Sequence, residues 1–181
     1  MEREITRRNG NGKLDKLCRH LDSLGCTYKV YHAEEIESDS EDTLRVSIVN
    51  DHGKGTLDVD VDHGYVMHFD DWHAHYEYAD TDEQNYETLI EDLDAILANR
   101  RGVGIIRKGN GDWFGSRLVD DKDIENDQLG VFWFVLGEQY HRSELVKSDG
   151  RIVYSYWNPY KDFSFALDVD RLRAMDSRIS A

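Results

Sequence analysis

The segment Leu57-Asp58-Val59-Asp60-Val61 alternates apolar and acidic residues without interruption. Successive side chains of a strand point to opposite faces, so this stretch predicts a strand with one apolar face and one row of carboxylates. It belongs to an extended segment Thr56 to Val61, and its neighbours suit the same arrangement, with extended segments expected at Thr27 to His32, Thr43 to Val49 and Tyr65 to Phe69. Asp51-His52-Gly53 and Asp62-His63-Gly64 fall between strands, where glycine can supply the positive φ of a tight turn. The result is an expected antiparallel meander.

Two segments change to helical spacing. Leu14, Leu17, Cys18, Leu21 and Leu24 form one stripe of a helix over about 13–24, and Gly25 stands where a left-handed cap would end it. Thr81-Asp82-Glu83-Gln84 fits a capping box, and Tyr86, Leu89, Ile90, Leu93, Ile96 and Leu97 make the apolar stripe of a second helix over about 82–98. Arg100, Arg101 and Gly102 are read as its close. Beyond it, Val103 to Lys108 and Asp112 to Val119 flank an Asn110-Gly111 hairpin signal, and a polar loop is expected from Asp120 to Gln128. Val131 to Leu136 is apolar on both faces and reads as a central buried strand. Asp149-Gly150 reads as a hairpin joining Leu145 to Lys147 with Arg151 to Trp157. After Pro159, Phe163, Phe165 and Leu167 alternate, and a terminal helix is expected from Val169 to Met175.

The expected fold is therefore α+β, a mainly antiparallel sheet packed by two amphipathic helices, in an order that admits two related halves. A basic flexible arm, residues 1–12, precedes one domain, 13–181. With 181 residues and 20 aromatics the chain can bury a core without staples.

Charge is unevenly placed. From Glu34 to Ala98 there are 20 Asp or Glu against Arg45 and Lys54, and the remaining residues hold 17 acids and 20 bases. Direct nucleic-acid binding through the acidic third is disfavoured, because phosphates would be repelled; a basic protein partner is favoured. The first residues carry charges where a secretory signal needs an apolar stretch, and no apolar run reaches the length of a membrane span. Cys18 and Cys26 read as reduced thiols, so a cytoplasmic protein with no membrane partner is expected.

The candidate chemistry divides in two. On the second helix, Glu83, Glu87, Glu91 and Asp94 lie side by side with no Lys or Arg between them, each like pair costing about 0.2–0.5 kcal/mol in an isolated helix. That clustering favours a docking face made of Asp58, Asp60, Asp82, Glu83, Glu87, Glu91 and Asp94, with Trp113 as an aromatic anchor. Separately, five of the eight histidines lie between His52 and His75. On an extended segment His73 and His75 share a face and, with Asp71, could hold a transition metal, the only cofactor envisaged. Surface imidazoles on an acidic sheet are the simpler reading.

Other motifs fail on spacing. Asp58 to Phe69 has its glycine one place late for a calcium loop and lacks a Glu at the twelfth position. Gly109 to Gly115 is followed by a strand pattern rather than the helix start that a phosphate loop needs. No nucleophile stands in a readable Ser, Cys and His arrangement, so no catalytic residue is assigned.

Asp71-Trp72-His73-Ala74-His75-Tyr76, followed by the acidic amphipathic helix and the Val103 to Val119 hairpin with Trp113, resembles small bacterial toxin-immunity proteins over about residues 65–119. The resemblance is one of pattern and carries over no functional residue. It implies a non-catalytic inhibitor whose carboxylates plug the site of a basic toxin such as a nuclease. The alternatives are a metal-binding module or metal-dependent enzyme using His73 and His75, and a nucleic-acid mimic with acids at phosphate-like spacing.

Overall fold

The computed structural model describes residues 12–36, 43–53, 55–126, 129–136 and 138–173. The expected basic arm lies outside these residues except for Gly12, which begins helix α1 (Gly12–Ser23). The fold is α+β with two antiparallel sheets. In the first, β1 (Tyr28–His32), β2 (Leu44–Val49), β3 (Thr56–Val61), β4 (Tyr65–Phe69) and β5 (Trp72–Tyr76) follow one another as a five-stranded meander, with the short helix α2 (Ala33–Ile36) after β1.

The register explains the two faces of this sheet. Val46, Val59, Met67 and Ala74 stand in one row across it, and Ile48, Leu57, Phe69 and Trp72 in the next. All of these pack into one core cluster with Leu17 and Leu21 of α1 and with Leu89, Leu93 and Ile96 of α3 (Asp82–Leu97). Fully burying each large apolar side chain contributes roughly 1.5–3 kcal/mol, so the inner face holds both helices on one side.

Both helices end in the same device. Gly25, at φ +73, lets Cys26 N donate to Leu21 O and Gly25 N to Asp22 O, as the first helical stripe requires. In α3, Thr81 accepts from Gln84 N at 3.2 Å as expected, but the C-terminal closure differs from the sequence reading. Asn99, at φ +54, takes the left-handed position, and Arg100 N donates to Ala95 O. Arg101 and Gly102 already belong to the next strand.

The second sheet is ordered β7 (Trp113–Asp120), β6 (Arg101–Arg107), β8 (Arg151–Ser155), β9 (Phe163–Ala166). Between β7 and β8 the chain forms α4 (Asp121–Asn126), α5 (Trp133–Leu136) and α6 (Gln139–Lys147). Three expectations are corrected here. The Asp120 to Gln128 loop is helical over most of its described length. Val131 to Leu136 is a 3₁₀ turn running into α5 rather than a buried strand, since a short run apolar on both faces suits either state. Leu145 to Lys147 is the last turn of α6, and Asp149-Gly150 is its cap: Asp149 sits at φ +53 and Gly150 N donates to Leu145 O. The chain is helical again over 169–173, and the expected residues 174 and 175 lie outside the described ones. The two sheets also differ in strand order, so the two halves do not repeat one topology.

Strand β6 is buried on both sides. Val103 and Ile105 join the core shared with the first sheet, while Ile106 joins a second cluster with Phe132, Leu136, Leu145, Ile152 and Tyr154. The sheets are tied where the β4–β5 turn meets the second sheet: Ser155 Oγ donates to Asp70 Oδ2 at 2.6 Å, Ser116 Oγ to Asp71 O at 2.8 Å, and buried Asn50 reaches Trp157 O at 2.7 Å.

Gly104 marks the tightest approach in the second cluster. A Cβ there would lie 2.6 Å from Phe132 Cζ and 3.0 Å from Tyr154 Cε1, inside van der Waals contact. Gly104→Ala is therefore expected to lower the free energy of urea unfolding by about 1–3 kcal/mol. An unchanged midpoint would mean that the Phe132 ring moves aside at no cost.

Candidate functional site

The acidic residues singled out from the sequence are split between two surfaces. Asp58 and Asp60 lie on the outer face of the first sheet, because their neighbours Leu57, Val59 and Val61 point inward. Helix α3 packs on the inner face, so its outward carboxylates are separated from Asp58 and Asp60 by the sheet. Trp113 is 56% exposed but belongs to the second sheet, opposite Arg107, and its Nε1 donates to Ser116 Oγ at 3.2 Å. The expected docking residues therefore do not form one face.

Most of them are also neutralised. On α3, Lys13 lies 3.3 Å from Asp82, Lys16 lies 2.5 Å from Glu83, His20 lies 2.7 Å from Asp94 and Arg101 lies 3.1 Å from Glu91. Among the described residues Glu87 is the one carboxylate of the expected set on α3 without an ion-pair partner. Arg101 is a hub, since its guanidinium also holds Asp92 and Asp120. Burial pushes the Asp92 carboxyl up, against the pull of Tyr76 and Arg101, which both bond to it. Lys13, Lys16 and His20 recur at helical spacing on α1, a basic stripe laid along the acidic stripe of α3. That stripe was visible in the sequence, although its partner was not.

On the outer face, Asp58 accepts from Ser47 Oγ at 2.5 Å. Asp60 receives the Arg45 fork at 2.6 and 2.8 Å and faces His68 Nε2 at 3.1 Å. Burial works to raise the Asp60 pKa, but the bonds from Arg45 and His68 outweigh it and hold it at about 2.

A different set of acids is left uncommitted by pairing of this kind. The β5–α3 connection carries Glu77, Tyr78 and Asp80, all exposed, with Tyr78 81% exposed. Its conformation is held from below: buried Asn85 accepts from Ala79 N at 2.9 Å, and Asn85 N donates to Thr81 O. Beside it opens a cleft of about 360 Å³ lined by Asp60, Asp62, His63, Tyr65, His75 and Glu77. Among the described residues, His75 Nδ1, at 3.9 Å, is the one basic group within ion-pair distance of Glu77. The sequence signal for this corner is an acidic and aromatic tetrapeptide, Glu77-Tyr78-Ala79-Asp80, between a strand and a helix cap.

The histidines partly follow expectation. His73 and His75 do share the outer face, with ring centres 5.5 Å apart, and His68 stands across from His73 with centres 5.8 Å apart. Asp71, however, is ion-paired with Arg107. No group of three or more His, Cys, Asp or Glu side chains converges for a metal ion among the described residues.

A larger cleft of about 520 Å³ lies between the ends of α1 and α3, lined by Cys26, His52, Asp94, Leu97, Arg100 and Trp157 among others. The Cys26 thiol is pushed up by burial and by the charges of Asp94 and Asp51, and Cys18 is pushed up chiefly by burial. Both shifts disfavour the thiolate, the opposite of what an attacking cysteine needs. No helix among the described residues is long and apolar enough to cross a membrane. Comparison with protein families, curated proteins and solved structures finds no match for this chain.

Two outcomes are expected. Because the folded Asp60 pKa lies below the unfolded value of about 4, its contribution is complete at neutral pH, declines as pH falls through that value and is gone near pH 2. Asp60→Asn should thus reduce unfolding free energy at pH 7 by about 2 kcal/mol, with the gap to the wild type closing as pH approaches 2 in urea titrations. A gap of constant size would rule out this linkage. In the second, both thiols should react with iodoacetamide at pH 8 several times more slowly than free cysteine; equal or faster alkylation would show a stabilised thiolate.

Proposed function

We propose that this chain is a non-catalytic, acidic binding protein that neutralises a basic protein partner, of the kind exemplified by immunity inhibitors of cationic nuclease toxins. The observation that carries this reading is the cleft lined by Asp60, Asp62 and Glu77, from whose edge at Glu77 the chain runs on into the exposed Tyr78 and Asp80 of the β5–α3 connection. A lysine or arginine side chain entering that cleft meets Asp62 and Glu77, which have no Lys or Arg partner among the described residues, and the neighbouring Tyr78 exposes an aromatic ring for cation–π contact. Because Asn85 already fixes the corner, less conformational entropy is lost when a partner docks. The formal charge of −15 adds long-range attraction that steers such a partner inward.

The docking residues of this proposal differ from those the sequence favoured. Asp82, Glu83, Glu91 and Asp94 are paired with Lys13, Lys16, Arg101 and His20, so they have less free charge to offer a partner.

The test is association kinetics against a panel of cationic nuclease domains at low and high salt. One member should bind with a rate that falls steeply as salt rises, and a Glu77→Lys, Asp80→Lys double variant should slow it by about tenfold or more, with Tyr78→Ala mainly speeding dissociation. Rates indifferent to salt, or a double variant that binds like the wild type, would overturn the reading. These positions are exposed, so unchanged urea midpoints should confirm that the variants fold.

A further inference from the structure

We propose that His73 and His75, with His68 across the strand pair, bind one divalent transition-metal ion on the outer face of the first sheet. The alternation of β5 turns Trp72 and Tyr76 into the core and leaves both histidines exposed on the outer face. Their rings meet edge to face at 5.5 Å. Two imidazoles on a single ion, at about 2.1 Å per nitrogen, place their ring centres roughly 4.5–5.3 Å apart, so little rotation separates the observed pair from a chelating one. His68 is the register partner of His73, and its side chain is 37% exposed.

The second nitrogen of His68 supports this assignment independently. His68 Nε2 faces Asp60 Oδ2 at 3.1 Å, within hydrogen-bond reach, so Nδ1 is the nitrogen that would take the ion, whereas His75 Nδ1 lies 3.9 Å from Glu77, too far for a hydrogen bond. A carboxylate on the nitrogen that does not bind the ion is the usual support for a histidine ligand, orienting the ring and raising its basicity. Asp71 takes no part, because Arg107 holds it. The three imidazoles do not converge on a point as they stand, so the ion would draw them together through side-chain rotation, which exposed rings permit. Imidazole donors select copper, nickel or zinc over magnesium or calcium, and so small a ligand set leaves positions for water and implies modest affinity.

The probe is Cu²⁺ titrated into the full chain, followed by calorimetry and by electron paramagnetic resonance at one equivalent. The expected result is one ion per chain at micromolar affinity, with hyperfine coupling from at least two imidazole nitrogens. His73→Ala and His75→Ala should each weaken binding by about tenfold or more, and His68→Ala by a smaller factor. Asp71→Asn and His63→Ala should leave it unchanged. No saturable binding below about 1 mM, or binding that survives a His73→Ala, His75→Ala double variant, would overturn the site. Full affinity in His68→Ala would remove the third ligand. His75 also lines the anionic cleft, yet none of these readouts depends on a protein partner.

Discussion

Helix α3 buries Leu89, Leu93 and Ile96 in a core that draws on both sheets, meeting Val59 and Met67 on one side and Val103 and Ile105 on the other. That shared burial decides the placement of the rest. It brings α1 alongside on the same face of the first sheet, and it sets Arg101, at the start of β6, against the helix's acidic side. Among the described residues no helix covers the opposite face of the first sheet, and there the polar residues of the alternating strands are exposed or half-buried.

Once α3 is held in this way its carboxylates need counter-charges. A run of like charges on one helix is unfavourable alone, but here Lys13, Lys16, His20 and Arg101 arrive from other elements and relieve it. The clustering that suggested a docking face is thus largely a structural seam between helices. Among the described residues, Glu77 and Asp80 in the connection and Asp62 at the turn after β3 have no Lys or Arg ion-pair partner. Free charge next to an exposed aromatic ring and a cleft is a better basis for recognition than the longer but neutralised stripe. Such exposed ion pairs on α3 add little stability each, so their main effect is on which face remains anionic.

Local patterns were legible where one physical period dominated. The first four strands of the first sheet, both amphipathic helices, the Thr81 cap and the Asn110-Gly111 hairpin all follow from alternation, helical spacing or turn chemistry. The errors fell where local signals serve two structures equally. Val131 to Leu136 is apolar throughout and so has no period to read, and it became helical because the second core cluster needed a filler between β7 and β8. Asp149-Gly150 suits a hairpin turn and a helix cap alike, and α6 before it settled the choice. Of the candidate site, the shared face of His73 and His75 was readable because strand alternation is local, whereas the capture of Asp71 by Arg107 depends on a meeting between two sheets.

The sequence by itself determined the two faces of the meander, the apolar stripes of α1 and α3, and the sign and size of the net charge, since each of these depends only on composition or on backbone geometry over a few residues. Tertiary structure decided which carboxylates remain available. Lys16 and Glu83 stand 67 residues apart in the chain, and His20 and Asp94 stand 74 apart, yet each pair is in contact. Ion pairing acts over a few ångströms of space, and only the packing of α1 against α3 brings those distances into range.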